Sequence, residues 1–150
     1  MNDQKLSDDN SPTVEHPGTY WKDDWVLSRK SIHSGGLIID HHLEPPDELE
    51  EGAIKHHLVC YQLNDFAPRQ ITRLDDKEYD GEMRQGNFWL KPASSEGFWH
   101  WESTDDCLIF AIEPAFLSQI ALQNDCLHTE KIEILPVLKA RDPILDALAI

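Results

Sequence analysis

Histidine is the residue type best supplied for chemistry in this 150-residue chain, with eight at positions 16, 33, 41, 42, 56, 57, 100 and 128. A catalytic metal centre wants about three neutral imidazoles or carboxylates converging on one point. Strands usually supply them as His-x-His, because alternate side chains share a face. Here His41-His42 and His56-His57 are adjacent pairs, so only one member of each can enter a common pocket. His42, His57, His100 and Glu102 could meet, but the spacing does not require it; the alternative is solvated or hydrogen-bonded histidines. The segment FWHWES, residues 98–103, raises the same question within one strand. Alternation puts Phe98, His100 and Glu102 on one face and Trp99 and Trp101 on the other. With aromatics on both faces, either the strand is covered on both sides or one face lines a cavity or meets a partner.

Other chemistries find little support. There is no Gly-x-Ser-x-Gly, no phosphate-cradling glycine loop and no dinucleotide fingerprint. The acidic stretch at 44–52 lacks calcium-loop spacing and its two prolines and five acids read as a solvated loop. Cys60, Cys107 and Cys126 lack C-x-x-C spacing and are expected as small buried hydrophobes. Thirteen basic residues against 28 acidic ones, a net charge of −15, argue against nucleic-acid binding by this chain alone. No stretch approaches the roughly 18 apolar residues of a membrane span, and the first 20 residues lack a signal-peptide centre. The expectation is a cytoplasmic protein.

The elements that must position these residues are short strands. WVLSRK, GLIIDHHL (36–43), HHLVCYQL (56–63), RQITRLD (69–75), KEYDGEM (77–83), NFWLK (87–91), GFWHWE (97–102) and DCLIFAIE (106–113) follow one another with turn residues between and no helices. That spacing predicts an antiparallel sandwich or barrel over 25–113, after a polar tail at 1–24. HHLVCYQL reads as a central strand, and 69–83 as a hairpin turning at Asp75-Asp76. After this, PAFLSQIALQN (114–124) has Phe116, Leu117, Ile120 and Ala121 at helical spacing behind Pro114. A strand-like KIEILPV follows. Asp142-Pro143 then opens a second helix with Ile144, Leu145, Leu148 and Ala149 as its stripe. This helix stops uncapped at Ile150, from which the chain is expected to be a fragment whose helix continues into another domain.

GNFWLKPASSEGFWHWES resembles the second motif of cupins: Gly86, Pro92, Gly97 and His100 fill its places, with three extra residues between proline and glycine. The first motif's His-x-His is missing, and Thr104 stands where the second motif ends in asparagine. The order HHLVCYQL, GNFWLKP, LIFAIEPAFLSQIA and LKARDPILDALAI resembles the N-terminal domain of AraC-type transcription regulators over roughly 25–150.

This resemblance implies a mainly β fold, a cupin-like antiparallel β-barrel (double-stranded β-helix), with C-terminal helices over 114–150. It implies a non-enzymatic domain that binds a small effector, dimerises, and controls a helix-turn-helix DNA-binding domain absent from this fragment. The motif histidine would point inward, giving a ligand pocket of His57, Tyr61, Phe88, Phe98, His100 and Glu102 with no metal or cofactor. Phe116, Leu117 and Ile120 would form the homodimer interface. The alternative is a small metal-dependent cupin enzyme, of dioxygenase or isomerase type, using His57, His100 and Glu102 on iron, manganese or zinc.

Overall fold

A computed structural model describes residues 23–32, 36–124 and 133–148. Its strands are β1 (Val26–Ile32), β2 (Leu37–Glu44), β3 (Asp47–Glu51), β4 (His57–Gln62), β5 (Arg69–Leu74), β6 (Lys77–Glu82), β7 (Phe88–Lys91), β8 (Gly97–Trp101), β9 (Asp105–Ile112) and β10 (Val137–Ala140). The helices are α1 (Pro114–Gln123) and α2 (Pro143–Leu148). Two antiparallel sheets run in the orders β1-β2-β9-β4-β7-β10 and β3-β8-β5-β6. Strands β2 to β9 thus fall into two interleaved four-strand sets, β2-β9-β4-β7 and β3-β8-β5-β6, the jelly-roll arrangement. The cupin-like, mainly β architecture is the one expected from the sequence.

Alternation decides which residues meet between the sheets. From the larger sheet, Ile38, Leu58, Cys60, Trp89, Cys107, Ile109 and Ala111 are buried; from the smaller, Leu74, Trp99 and Trp101. Trp89 and Trp99 join the sheets at a ring-centroid distance of 4.8 Å, and Trp25 meets Trp101 edge-on at 5.9 Å. These indoles bring large apolar areas into the interior.

Two local expectations are corrected. Part of the 44–52 loop is strand β3, which pairs with β8 at the sheet edge. Pro45 and Pro46 are confined to the turn before it, while Glu48 and Glu50 point to water, as acids on an edge strand should. The strand-like KIEILPV is displaced: the strand is Val137–Ala140, which pairs with β7, and Lys131 and Ile132 lie outside the described residues. The hairpin at Asp75-Asp76 forms as β5–β6, with Asp75 in the left-handed region. HHLVCYQL supplies β4, paired on both sides by β7 and β9.

Asp142 caps α2, its carboxylate accepting from the backbone N–H of Ile144 at 2.8 Å and of Leu145 at 3.3 Å. Gly86 has a φ of 91°, and a Cβ there would press into the Arg141 guanidinium. Only glycine suits both the backbone and the space.

Candidate functional site: the polar interior

The expected pocket is not assembled. On β8 it is Trp99 and Trp101 that point between the sheets, while His100 and Phe98 are half-buried on the outer face and Glu102 is exposed. The alternation was read correctly and its phase was not. Burying two indoles and leaving an imidazole and a carboxylate wet avoids the desolvation that the opposite phase would require. His100 lies 3.2 Å from both Glu48 and Glu102, within a surface network that includes Arg69 and Asp80.

His57, Tyr61 and Phe88 lie on the opposite outer face, that of the larger sheet, where Tyr61 pairs across with Phe88. His57 Nδ1 accepts from the Ala93 N–H at 2.9 Å, and burial lowers its pKa. Tyr61 donates to Asp146 at 2.6 Å. The six residues therefore split between the two outsides of the sandwich. His57, His100 and Glu102, the set proposed for iron, manganese or zinc, are divided in the same way and cannot share an ion.

What the interior holds is a different polar set. Asp40, His42 and Glu44 alternate along β2 and all face inward. Arg29 clamps Asp40 with two bonds of 2.7 Å, and His42 lies 3.2 Å from Asp40 and 2.6 Å from Glu44. Burial alone would raise Asp40, but Arg29 and His42 override it and hold the carboxyl down at about 2. For His42, burial opposes the charged form, and the two carboxylates outweigh it and raise the pKa. Lys91, wholly buried, reaches Glu51 at 3.3 Å.

Across from Glu44 on β9 stands Asp105, buried and accepting from the Gln62 amide at 2.7 Å. Burial, reinforced by the Glu44 charge, lifts it to about 7. Cys60, Cys107 and Asp105 place their donor atoms within 4.8 Å of one another. Hydrogen bonding with Cys107 would by itself lower the Cys60 thiol; burial and the carboxylates of Asp105 and Glu44 push it up to about 11. A cavity of about 30 Å³, lined by Glu44, Glu51, Cys60, Gln70, Asp105 and Trp99 among others, opens beside this cluster. That is room for a water or two, or an ion.

Cys60 and Cys107 are buried as expected, but beside a carboxylate. Cys126 lies outside the described residues. The sequence signal for this set is periodic: Asp40-x-His42-x-Glu44 and Asp105-x-Cys107 repeat every second residue within apolar strands, so each set must share a face.

On α1, Phe116 sits against Gly36 and is half-buried, as is Leu117, whereas Ile120 is 39% exposed. Among the described residues no helix is long and apolar enough to cross a membrane.

No family model matches the chain, and no curated protein matches it. Solved structures do. A variant of Bacillus subtilis oxalate decarboxylase superposes with a TM-score of 0.44 and 12% identity, over 68% of this chain and 32% of that one. Another, described for the Mn(II) centres of the same decarboxylase, gives 0.44 and 9% over the same shares. A further oxalate decarboxylase structure gives 0.44 and 10% over 76% and 37%. The chain spans about a third of the length of these structures, and the likeness is one of fold. These structures are those of an enzyme, unlike the non-enzymatic chain that was expected.

Proposed function

We propose that this chain is a ligand-responsive cupin-like domain whose polar interior is the binding site and whose C-terminal segment reports occupancy, as in the sensing half of an AraC-type regulator. One observation carries this reading. Along β4, Cys60 faces the interior cavity while its neighbour Tyr61 faces out and holds α2 through Asp146. Arg141 strengthens the same joint, bonding Asp146 at 3.2 Å and the Gln85 carbonyl at 2.7 Å. A ligand that displaces β4 therefore alters the seat of α2, and differential affinity for two such states is all that a switch requires. The cavity volume means that the ligand is small and polar, or enters by parting Trp89 and Trp99. In this reading Ile120, with Phe116 and Leu117 beneath it, joins two copies, and DNA is contacted only through a separate domain.

The test is a thermal-shift screen with small organic acids, sugars and aromatic acids. Hits are expected to lose their shift in Gln70→Ala and to change amide exchange in α2, and Tyr61→Phe is expected to abolish only the second effect. Hits insensitive to Gln70→Ala, or without effect on α2, would overturn the proposal.

A second reading, a small cupin enzyme, is favoured by Asp105. A buried carboxyl lifted to about 7 beside a cavity can hold or accept a proton near neutrality, as a general acid or base must. Here the reacting groups would be Asp105 and Glu44. Turnover of a screened hit, lost in Asp105→Asn, would establish it.

A further inference from the structure

Among the described residues four carboxylates are buried between the sheets, and three of them face a cation: Asp40 faces Arg29 and His42, Glu44 faces His42, and Glu51 faces Lys91. Asp105 is the exception. It faces the Gln62 amide, the two thiols and the carboxylates of Glu44 and Asp106. A buried carboxylate so placed is costly unless it is protonated or meets a positive charge. The neighbouring donors fit the second solution. Cys60 Sγ, Cys107 Sγ and an Asp105 oxygen lie within 4.8 Å of one another, close enough to share a four-coordinate ion. Glu44, opposite Asp105 in the β2–β9 register and lining the same cavity, stands at the open side. Gln62 fixes the Asp105 carboxylate from behind, as groups outside a coordination shell commonly do.

We infer that Cys60, Cys107 and Asp105 form a binding site for a thiophilic divalent cation, with Zn²⁺ the best match to two sulfurs and a carboxylate. The fourth position opens on the cavity, for water or Glu44. Binding exchanges protons for metal: the two thiols and, where it is protonated, the Asp105 carboxyl release their protons to solvent, and three ligand bonds form. No redox change is involved. Affinity consequently rises with pH. The set shares no residue with the histidines of the expected pocket, all of which lie on the outer faces. The inference deepens the proposed interior site by naming a ligand for it.

The experiment uses the untagged, reduced and chelator-stripped chain, titrated with Co²⁺ and then with Zn²⁺. One equivalent of Co²⁺ is expected, with a thiolate charge-transfer band and the intense visible bands of tetrahedral cobalt, displaced by Zn²⁺. Cys60→Ser, Cys107→Ser and Asp105→Asn should each weaken binding at least tenfold, and His100→Ala should not. Since a serine variant could fail to fold, alkylation of the wild type is mapped by mass spectrometry with and without Zn²⁺, and both thiols should be protected. A cobalt spectrum without sulfur ligation, binding abolished by His100→Ala, or unchanged alkylation would overturn the inference, as would reduced protein that binds no metal. Amide exchange in α2 is followed in the same titration. Metal bound without change in α2 rejects the coupling but keeps the site; no metal, with organic hits still coupled, does the reverse.

Discussion

Replacing Lys91 by methionine removes the cationic end of a buried ion pair while keeping most of its apolar stem. Lys91 is fully buried and the Glu51 side chain is 5% exposed, so water cannot take the place of the missing ammonium. Breaking a pair of this kind costs about 3–5 kcal/mol, chiefly because one charge stays behind without its partner. With a urea dependence of about 2 kcal/mol per molar, the unfolding midpoint falls by about 2 M. The loss should shrink toward acid pH, where Glu51 can take up a proton. The double variant Lys91→Met with Glu51→Gln should recover most of the stability, giving a coupling of at least about 3 kcal/mol between the two sites. Urea titrations of the four proteins at pH 5 and pH 8, followed by tryptophan fluorescence, measure all of this. A single substitution costing below about 1 kcal/mol, or a double variant whose loss equals the sum of the singles, would refute the claim that this pair is desolvated.

The phase of β8 is checked by two alanines: Trp99→Ala should cost about 3–5 kcal/mol by opening a cavity beside Trp89, and His100→Ala about 0.5 kcal/mol or less. Comparable losses would mean that the strand presents the other face. The β2 cluster sets a pH window. Asp40 is held at about 2 against 3.8, so its contribution is present above about pH 4 and lost as pH falls through 2. That is worth about 1–2 kcal/mol once the one-third exposure of Arg29 is allowed for. His42, raised, contributes fully below 6.5 and loses its contribution as pH rises through its folded value; Asp105, raised from 3.8 to about 7, is most favourable below 3.8 and costs stability progressively as pH rises from about 4 to 7. Stability measured against pH should therefore peak near about pH 4 and decline toward neutrality, with Asp40→Asn flattening the acid limb and Asp105→Asn the decline; a maximum above about pH 7 would contradict these assignments.

The layout of the fold was legible because it rests on properties a strand cannot hide. Helix-free spacing, turn residues and period-two patterning marked β1, β2 and β4 to β9, and the Asp142-Pro143 start of α2 was visible in its cap chemistry. Strand β3 was hidden by composition. An edge strand needs only alternate residues to face in, and with glutamates at 48, 50 and 51 it looks like a loop. The site was lost one step later, at phase. Alternation is symmetric under exchange of faces, so it groups Phe98 with His100 without saying which side is inside. That decision belongs to the partner sheet, where Trp89 stacks on Trp99, while Leu49 and Thr72 flank Trp99 within its own sheet.

The same symmetry explains why chemistry was sought among the histidines and found among the acids and thiols. On the outer faces, His57 accepts one backbone N–H and the half-buried His100 sits between two exposed glutamates. Inside, Asp105 carries the cost of burial, and the groups around it act on that cost: Gln62 orients the carboxylate, Glu44 opposes its charge, and Cys60 and Cys107 offer sulfurs at coordinating distance. A purely structural core would gain by placing an asparagine at this position, since the amide keeps the bond to Gln62 without any charge to compensate. The aspartate is intelligible where a proton or a cation has to be held. It stands on β9, between β2 and β4, and β4 carries the Tyr61 contact to α2. Whatever settles the charge on Asp105 is therefore one strand away from the joint that positions the C-terminal helix.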